Sequence, residues 1–384
     1  MKFDVIVVGG GPGGSIAARR CAENGLKTLL LEKKNFNRNK PCAGGLTKKV
    51  LDRFDPPEDI IDRYYNGITI TLDDDSITID DTERLGAFVC RGKFDSMLVQ
   101  DAKEAGADVR ENSRVVDLIV KDDFVKGVVV KSGEKTESIE ADLVIGADGN
   151  TSVVRRKLGA FVDNPERISL WSSCHIRLTS DLIDERIGDR IEIYFGEGIS
   201  NSAYAWIFPK REIVTVGLGA MVSEVKGENL RLNERLNKFI TSHPVASKKL
   251  EGGRIIMNQG GRITCLGTAT ETYFNGALLI GEAAGHAMAT SGEGIYYAMA
   301  GGEISSEWAT RATSEGDFSR EFLSGYEDAW MSEMGKDLDR SVKMGKLSSA
   351  LQTPVKRVIK TVKDDPRAEK FLLDSLLKKS WGLL

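Results

Sequence analysis

The sequence has few of the side chains that bind metals or cross-link a fold. Its 384 residues include five cysteines and three histidines. The cysteines, at positions 21, 42, 90, 174 and 265, are scattered, and no two have the spacing of a metal-ligand pair. The histidines are too dispersed to suggest a metal cluster. We therefore expect neither a structural zinc site nor a disulfide framework.

Long apolar runs and an excess of positive charge are also missing. No uncharged apolar segment approaches the length of a membrane span. A strand pattern begins at Phe3, which leaves no room for a signal peptide. The formal net charge of −4 argues against a general nucleic-acid binder. We expect a cytoplasmic protein without a nucleic-acid partner.

Residues 3–32 have the pattern of a dinucleotide-binding unit. A β-branched run predicts a buried strand, the motif Gly9-x-Gly11-x-x-Gly14 follows at once, and a helix and a second strand lead to Glu32. Such glycines permit a tight turn and let a pyrophosphate approach the helix N-terminus. Glu32 stands where an acid accepts hydrogen bonds from a ribose. The alternative is a packing turn without a ligand.

Two later turns have the same setting after a buried strand. Asp148-Gly149 follows a strand predicted at 141–145, and Gly281-Glu282 follows one predicted at 276–280. Parallel strands place their turns along one sheet edge, where ligands bind. Acids in such turns suit ribose or ribityl hydroxyls. A second acidic turn late in the chain favours FAD, an extended cofactor with a ribityl segment, over NAD.

The composition changes between these turns. Strand-like segments predominate over 161–264, which predicts a substrate or catalytic domain inserted into the first and joined by part of 65–85. The FAD-binding domain is then discontinuous, 1–160 and 265–310, and a helical region covers 311–384. The predicted fold class is α/β with α+β elements, namely a Rossmann-type FAD-binding domain with an inserted antiparallel-sheet domain and a helical C-terminal region.

Several single residues have local predictions. Asp95 is predicted to cap a helix over 96–105. His286 is predicted to be solvated or to cap a helix, rather than to act as an acid. Arg155 and Arg156 are either surface charges or ligands of a phosphate-bearing substrate or reductant.

The motifs together resemble a known group of flavoproteins. In order along the chain, Gly9-x-Gly11-x-x-Gly14 with Glu32, Arg91 before Phe94-Asp95, Asp148-Gly149 and Gly281-Glu282-Ala283-Ala284-Gly285 resemble the fingerprints of the para-hydroxybenzoate hydroxylase-like fold. Two further segments, Pro41-Cys42-Ala43-Gly44-Gly45 and Tyr204-Ala205-Trp206-Ile207-Phe208-Pro209, are similar to signatures of the geranylgeranyl reductase family. The archaeal members of that family saturate the isoprenoid chains of digeranylgeranylglycerophospholipids. The motifs run from residue 9 to about residue 302, and the two further segments make the resemblance specific.

The resemblance implies a bound FAD. Its ADP half would lie on residues 9–14, Glu32 and Arg91, its ribityl chain would be held by the acid of the late turn, and its ring would sit over 292–295. The implied cofactor contacts are Gly9, Gly11, Pro12, Gly13, Gly14, Glu32, Cys42, Ala43, Gly44, Gly45, Arg91, Val115, Asp148, Gly149, Gly281, Glu282, Gly292, Gly294 and Ile295.

The sequence departs from the family pattern in two places. The family usually has aspartate where this chain has Glu282, whose longer side chain is expected to shift the contact or to bridge it through water. Residues 289–294 contain less proline and glycine than the family version. The surroundings of the flavin ring, and hence its redox tuning, are therefore expected to differ from those in the family.

Tyr204, Trp206 and Phe208 alternate and therefore project from one face of a strand, which Pro209 ends. The pattern alone is equally typical of a sandwich core. The resemblance makes these four residues the implied substrate contacts, with the aromatic rings as the wall of an apolar tunnel. Cys42 is either a small buried side chain or, as in the family, a cysteine near the flavin. The predicted catalytic residues are Cys42, Tyr204 and Trp206.

The C-terminal region is basic. From Lys336 onward there are twelve Lys or Arg residues and six Asp or Glu residues. Apolar residues at 355, 358, 359 and 362 fall at helical spacing, opposite basic residues at 356, 357, 360 and 363. Such a helix either rests on anionic lipid or packs on its own protein.

The implied reaction is reduction of isolated carbon–carbon double bonds in geranylgeranyl chains, with a hydride added to one carbon and a proton to the other. The proton donor stays open among flavin, water and Tyr204. NAD(P)H or a ferredoxin-type carrier would supply electrons, and an isoprenoid lipid substrate makes peripheral membrane contact an expectation. The alternatives are a flavin monooxygenase of the same fold and a non-catalytic prenyl-binding protein. The intact turn at 9–14 and Glu32 argue against the latter.

Overall fold

A computed structural model describes residues 2–36, 38, 40–160, 164–268, 270–347, 352–365 and 367–369. Within these residues the helices are α1 (Pro12–Glu23), α2 (Lys48–Phe54), α3 (Arg91–Glu104), α4 (Val153–Lys157), α5 (Ser180–Arg186), α6 (Val222–Gly227), α7 (Leu232–Ser242), α8 (Ala246–Leu250), α9 (Ile295–Glu315), α10 (Arg320–Trp330), α11 (Lys336–Leu347) and α12 (Gln352–Asp364). The strands are β1 (Lys2–Val8), β2 (Thr28–Leu31), β3 (Gly45–Thr47), β4 (Ile61–Tyr65), β5 (Gly67–Leu72), β6 (Asp75–Asp80), β7 (Gly86–Val89), β8 (Asp108–Arg110), β9 (Arg114–Lys121), β10 (Phe124–Ser132), β11 (Lys135–Gly146), β12 (Ile168–Arg177), β13 (Arg190–Phe195), β14 (Ala205–Pro209), β15 (Ile213–Met221), β16 (Arg254–Thr264), β17 (Tyr273–Phe274) and β18 (Ala277–Leu279).

The first sheet carries the dinucleotide unit. Its path is β17-β18-β11-β1-β2-β8, and β18, β11, β1, β2 and β8 run parallel. Val5 and Val7 enter the core under α1 and α9, whereas Ile6 and Val8 enter the core on the other face. A strand buried on both faces explains the continuous apolar run in the sequence. Because β1, β11 and β18 are parallel, the turns after them lie at one edge, as the sequence predicted.

The second sheet has the order β16-β12-β15-β14-β13-β5-β6. Its pairs are antiparallel except β13 and β5, which are parallel. Helices α5, α7 and α8 cover one face, and the aromatic side chains of β14 project from the other. A small third sheet, β3-β7-β4, lies beside that aromatic face. The predicted mixed α/β fold class, with its antiparallel sheet and C-terminal helices, is confirmed.

Two local predictions need correction or completion. Helix α3 begins at Arg91, so Asp95 does not cap it but lies one turn inside, where its carboxylate accepts two hydrogen bonds from the Arg91 guanidinium, at 2.8 and 3.0 Å.

In α12 the side chains of Val355, Ile359 and Val362 are buried against the β5–β6 hairpin, so its apolar stripe packs on the protein itself. Across the described ranges, no helix has the combined length and hydropathy of a bilayer span.

Candidate cofactor and substrate site

The three turns at the sheet edge open into one cleft. The predicted residues that line it are Gly11, Pro12, Gly13, Cys42, Ala43, Gly44, Gly45, Arg91, Gly149, Tyr204, Trp206, Phe208, Gly281, Glu282, Gly292, Gly294 and Ile295. Residues more than 100 positions apart are therefore brought together as predicted. The cleft also contains side chains that the sequence analysis missed, namely Lys40, Thr47, Asn150, Trp171, Ser173, Arg262, Ile263 and Glu293.

The glycines of the first turn have different tasks. A Cβ on Gly14 would lie 1.9 Å from the carbonyl oxygen of Gly9, and one on Gly13 would lie 2.6 Å from that of Ala298. These two glycines permit packing of α1 on the turn and on α9. At Gly11, by contrast, the nearest atom to a Cβ would be Lys40 Nζ at 3.7 Å, so its backbone faces the cleft. A concave backbone surface at a helix N-terminus fits a pyrophosphate.

Glu32 supports the first turn from beside it. The carboxylate is buried and accepts hydrogen bonds from the backbone N–H of Gly10 at 2.9 Å and of Lys34 at 3.0 Å. It is also ion-paired with Arg38. Glu32 does not line the cleft described above. If it contacted the ribose of FAD, the adenosine end of the cofactor would lie next to this acid.

Two cations stand where phosphates would lie. Arg91 is buried and held by Asp95, and Lys40 Nζ approaches Gly11 at the N-terminus of α1. Burial, together with the neighbouring Arg91 guanidinium, lowers the pKa of Lys40. A bound pyrophosphate would favour the charged ammonium. The cleft therefore fits a dianionic cofactor, and Lys40 was missed because its polar loop carries no motif.

The second turn differs from the prediction. The Asp148 carboxylate accepts hydrogen bonds from the backbone N–H of Val153 at 2.6 Å and of Val154 at 3.3 Å, and thus stabilises the N-terminus of α4. Asp148 itself does not line the cleft, whereas Gly149 and Asn150 do. Its carboxylate is occupied as a helix cap rather than directed to a ribose or ribityl hydroxyl.

Arg155 joins the second turn to the late turn. Its buried guanidinium donates hydrogen bonds to the carbonyl of Asn150 at 2.8 Å and to that of Ala283 at 3.2 Å. It is neither a surface charge nor a cleft residue, and only Arg156 is exposed. In the late turn, Glu282 accepts a hydrogen bond from the Thr264 backbone at 3.1 Å and lines the cleft. Burial raises the pKa of Glu282, while Lys40 opposes that shift.

The aromatic wall is larger than the sequence predicted. The Trp171 ring, from β12, lies 5.2 Å from the Tyr204 ring and 5.3 Å from the Trp206 ring, and Phe88 lies 5.1 Å from Phe208. The Tyr204 hydroxyl donates to the carbonyl of Ser291 in the loop before α9. Stacked and edge-to-face rings give an apolar surface with few polar demands.

Glycines in the neighbouring strand β15 make room for this wall. A Cβ on Gly217 would lie 2.3 Å from the Trp206 indole, and one on Gly219 would lie 2.3 Å from that of Trp171. The two indoles therefore lie flat over backbone. No motif in the sequence marked this pairing, because β12 and β15 meet only in the folded sheet.

Cys42 lines the cleft beside the small third sheet. Its Sγ accepts a hydrogen bond from the Gly44 backbone at 3.4 Å and contacts the Arg91 guanidinium. Gly44 has φ of 77°, and a Cβ there would lie 2.2 Å from the Val89 carbonyl, so only glycine fits this approach of β3 to β7. All five cysteines are free thiols.

Gly9 and Gly14 lie behind the cleft, and three further residues named in the sequence analysis also lie away from it. Val115, on β9 of the first sheet, is buried in a core shared with β1, β2, β10 and β11. Pro209 is buried at the end of β14. His286 was expected to be solvated or capping, but it is fully buried with its ring 4.3 Å from that of Trp330. Burial lowers the pKa of His286 to about 3.

A wider groove of about 610 Å³ lies on the other side of α1, towards α2 and α3. Its charged side chains include ion pairs such as Arg19 with Asp101, and Arg53 with the neighbouring Glu303. It receives none of the three turns, so we place the chemistry in the cleft. In the part of the chain that the structure describes, no three His, Cys, Asp or Glu side chains are grouped as a metal site requires.

Comparison with known proteins agrees with this geometry. The family model described as an FAD binding domain matches residues 2–303. The digeranylgeranylglycerophospholipid reductase of Methanosarcina acetivorans is 34% identical over 353 residues, which cover 88% of this chain and 83% of that protein. The enzyme of the same name from Methanocaldococcus jannaschii is 32% identical, over 85% and 82% of the two chains.

Solved structures show the same architecture. A geranylgeranyl bacteriochlorophyll reductase-like protein from Thermoplasma acidophilum superposes with a TM-score of 0.87 at 25% identity, over 98% of this chain and 97% of that one. A flavin-dependent brominase superposes with a TM-score of 0.73 at 18% identity, over 94% and 93%, which shows a shared fold.

The fold and the cleft define a flavoprotein whose cofactor is FAD, and the protein is a flavin-dependent oxidoreductase. Within that class, the chain belongs to the family of the digeranylgeranylglycerophospholipid reductases.

Proposed function

We propose that the protein saturates the carbon–carbon double bonds of geranylgeranyl chains in archaeal-type lipid precursors. The observation that carries this proposal is the meeting of the dinucleotide turn and the aromatic wall in one cleft. The name shared by the two curated relatives described above states the same substrate class for those proteins. An apolar tunnel suits a polyprenyl chain because such a chain offers a large contact area and no hydrogen-bonding groups.

The residues in the cleft and directly behind it divide into three proposed roles. Residues 9–14, Glu32, Lys40 and Arg91 hold the ADP half of FAD. Glu282 holds its ribityl chain, and residues 292–295 with 42–45 surround its ring. Tyr204, Trp206 and Phe208 bind the isoprenoid chain. The first sheet with α1 and α9 then forms the FAD-binding domain, the second sheet the substrate domain, and residues 311–384 a helical region.

FAD, when bound and reduced, would supply the hydride for this chemistry. The chain's own residues bind and orient the alkene and exclude water. The wall of Trp171, Tyr204 and Trp206 keeps the reacting bond in an apolar surrounding, and the Tyr204 hydroxyl is committed to the Ser291 carbonyl. Burial raises the pKa of Tyr204, which keeps that hydroxyl protonated. Cys42 lines the cleft and contacts the Arg91 guanidinium. We propose a catalytic or redox role for its thiol.

The partners of the site follow from this chemistry. The electron donor would be NAD(P)H or a ferredoxin-type carrier, and the lipid would come from a membrane surface. Lys356, Arg357 and Lys360 of α12 are exposed while its apolar stripe is buried, so this helix would contact anionic lipid through charge rather than insertion.

The test is reduction of the lipid itself. Chemically reduced holoprotein is incubated without oxygen with an unsaturated digeranylgeranylglycerophospholipid, and the lipid is analysed by mass spectrometry. A gain of two hydrogens per double bond supports the proposal. Unchanged lipid with a reoxidised flavin contradicts it, and hydroxylation of an aromatic substrate with oxygen consumption would identify a monooxygenase. A purified protein that binds prenyl lipid but no flavin would identify a carrier.

A further inference from the structure

Glu293 was not predicted as a site residue, although it lies within the segment 292–295 that was predicted to lie against the flavin ring. It stands in the loop between Gly292 and Gly294, directly before α9, and lines the cleft. The loop is closed by a hydrogen bond from the Met288 backbone to the Glu293 carbonyl at 2.8 Å. Glu293 is therefore held at the position that we assign to the flavin ring, while part of its surface stays open to the cleft.

The side chain of Glu293 is anchored across the cleft. Its Oε1 accepts a hydrogen bond from the Thr47 hydroxyl at 2.9 Å, although the two residues are 246 positions apart. Thr47 ends the short strand β3, which follows Cys42. The hydrogen bond therefore joins the Glu293 loop to the part of the cleft wall that carries Cys42. A hydroxyl donor fixes one carboxyl oxygen and leaves the second free to carry a proton.

The charged groups around Glu293 come from several elements. Lys49 of α2 favours the carboxylate, but its ammonium is already ion-paired with Asp337 of α11 at 2.7 Å. Asp337 and burial both favour the neutral acid, and the hydroxyls of Tyr204 and Tyr297 are also near. Burial is the largest effect, and the pKa of Glu293 rises to about 7. Its proton is thus present near neutral pH and can still leave.

Two other proton-bearing groups of the cleft, Glu282 and Tyr204, are less suited to donate a proton. Glu282 accepts a backbone hydrogen bond and faces Lys40 and Arg155. The Tyr204 hydroxyl donates a hydrogen bond to the Ser291 carbonyl, and burial raises its pKa. Among the cleft residues that the structure describes, Glu282 and Glu293 are the only two with a carboxyl group. Of these two, Glu293 is the one beside the aromatic wall.

We propose that Glu293 is the catalytic acid that protonates the alkene. This assignment rests on the proposed reductase function. One alkene carbon accepts a hydride, with its electron pair, from reduced FAD, which is thereby oxidised. The other carbon takes the proton from the Glu293 carboxyl, the O–H bond breaks, and the carboxylate regains a proton from solvent. The net change is the addition of two hydrogens across the double bond.

Three variants of the full-length holoprotein test the assignment. Glu293→Gln keeps the shape and the acceptor for Thr47 but carries no acidic proton, and Glu293→Asp keeps the acid. Glu327→Gln is the matched control, because Glu327 is a half-buried acid bonded to Thr272, outside the cleft. We expect Glu293→Gln to reduce lipid about 100-fold or more slowly in anaerobic single turnovers, since general acids contribute factors of this order. Glu293→Asp should recover part of the rate, and Glu327→Gln should match the wild type.

Two further measurements separate catalysis from structure. The wild-type rate should fall as pH rises through about 7, whereas Glu293→Gln should show no such fall. Infrared difference titration of the oxidised holoprotein, without donor or lipid, should show a carboxyl band that titrates near that pH and is missing in Glu293→Gln. Flavin content and the rate of chemical flavin reduction should stay unchanged in all three variants.

The assignment is overturned if Glu293→Gln reduces lipid at the wild-type rate with the wild-type pH profile. It is equally overturned if both Glu293 variants lose FAD, since the residue would then bind the cofactor. A wild-type protein that leaves the lipid unchanged, while the infrared band still titrates, refutes the reductase function and with it the catalytic role.

Discussion

The guanidinium of Arg155 donates a hydrogen bond to the carbonyl of Ala283 at 3.2 Å, and so fastens the turn after β11 to the turn after β18. Both turns open into the cleft, and the same guanidinium also holds the Asn150 carbonyl. A side chain outside the cleft thereby sets the spacing of two of its walls.

Replacement of Arg155 should therefore reduce cofactor binding indirectly. Arg155→Met retains the length of the side chain but leaves buried carbonyls without donors, which should cost about 2 kcal/mol of unfolding free energy. Flavin content after gel filtration and urea unfolding measure the two effects. Arg156→Met, at the exposed neighbour, is the control and should change neither. An Arg155→Met protein with full flavin content would contradict this role.

Two glycines of the first turn should separate folding from cofactor binding. Gly14→Ala places a methyl group 1.9 Å from the Gly9 carbonyl, so it should prevent close packing of α1 and destabilise the protein by about 3 kcal/mol or more. Gly11→Ala has space for its methyl group but projects it into the proposed pyrophosphate site. Thermal unfolding should thus change little in Gly11→Ala, while FAD affinity falls. Equal thermal destabilisation of the two variants would show that Gly11 serves packing alone.

The aromatic wall should determine affinity for the isoprenoid chain. Trp206→Leu removes ring contacts with Trp171 and Phe208, and we expect a rise in KM for lipid of about 30-fold, which corresponds to about 2 kcal/mol of lost apolar contact. Phe239→Leu is the matched control, because Phe239 is a buried aromatic residue of α7, which packs against the opposite face of the same sheet. Both variants should lose stability, but only the first should lose lipid affinity. A similar KM in the two variants would place the substrate elsewhere.

Glu293 should also make stability depend on pH. Its folded-state pKa is about 7 against an unfolded value near 4.5, so the folded protein holds this proton more tightly. Its contribution to stability is full below about pH 4.5 and is lost as pH rises through 7, at about 1.4 kcal/mol per unit and about 3 kcal/mol in all. Glu293→Gln should remove this slope, so the variant gains stability relative to the wild type between about pH 5 and 8. Urea unfolding with FAD in fixed excess measures the difference, and parallel pH curves would refute it.

The basic face of α12 should govern membrane contact. Lys356→Glu with Lys360→Glu should weaken binding to phosphatidylglycerol vesicles about 30-fold or more, because each basic residue near an anionic surface contributes about 1 kcal/mol. The control pair is Lys238→Glu with Lys248→Glu, exposed on the helices that cover the opposite sheet face. Equal losses in the two pairs would indicate a general charge effect. Vesicle sedimentation at low and high salt distinguishes these outcomes.

The sequence predicted those parts of the site that depend on neighbouring residues. The turn at 9–14 and the alternation in β14 are local patterns, because sterics and the period of a strand dictate them within a few residues. Trp171 and Thr47 were not predicted, because each joins the cleft through strand pairing that local sequence does not encode. The contact of Asp148 with the N-terminus of α4 was not predicted for a related reason, since an acid after a strand serves a helix N-terminus as well as a ribose.

The parallel pairing of β18 with β11, and the contact of Gly302 in α9 with the Gly13 carbonyl in α1, have a consequence for synthesis of the chain. The nascent N-terminal unit leaves the ribosome with its central sheet still lacking β17 and β18 and with α1 lacking its covering helix. The second sheet is translated before either arrives. Closure of the FAD site therefore waits until about 300 residues have emerged, and until then an apolar strand edge stays exposed to chaperones and to aggregation.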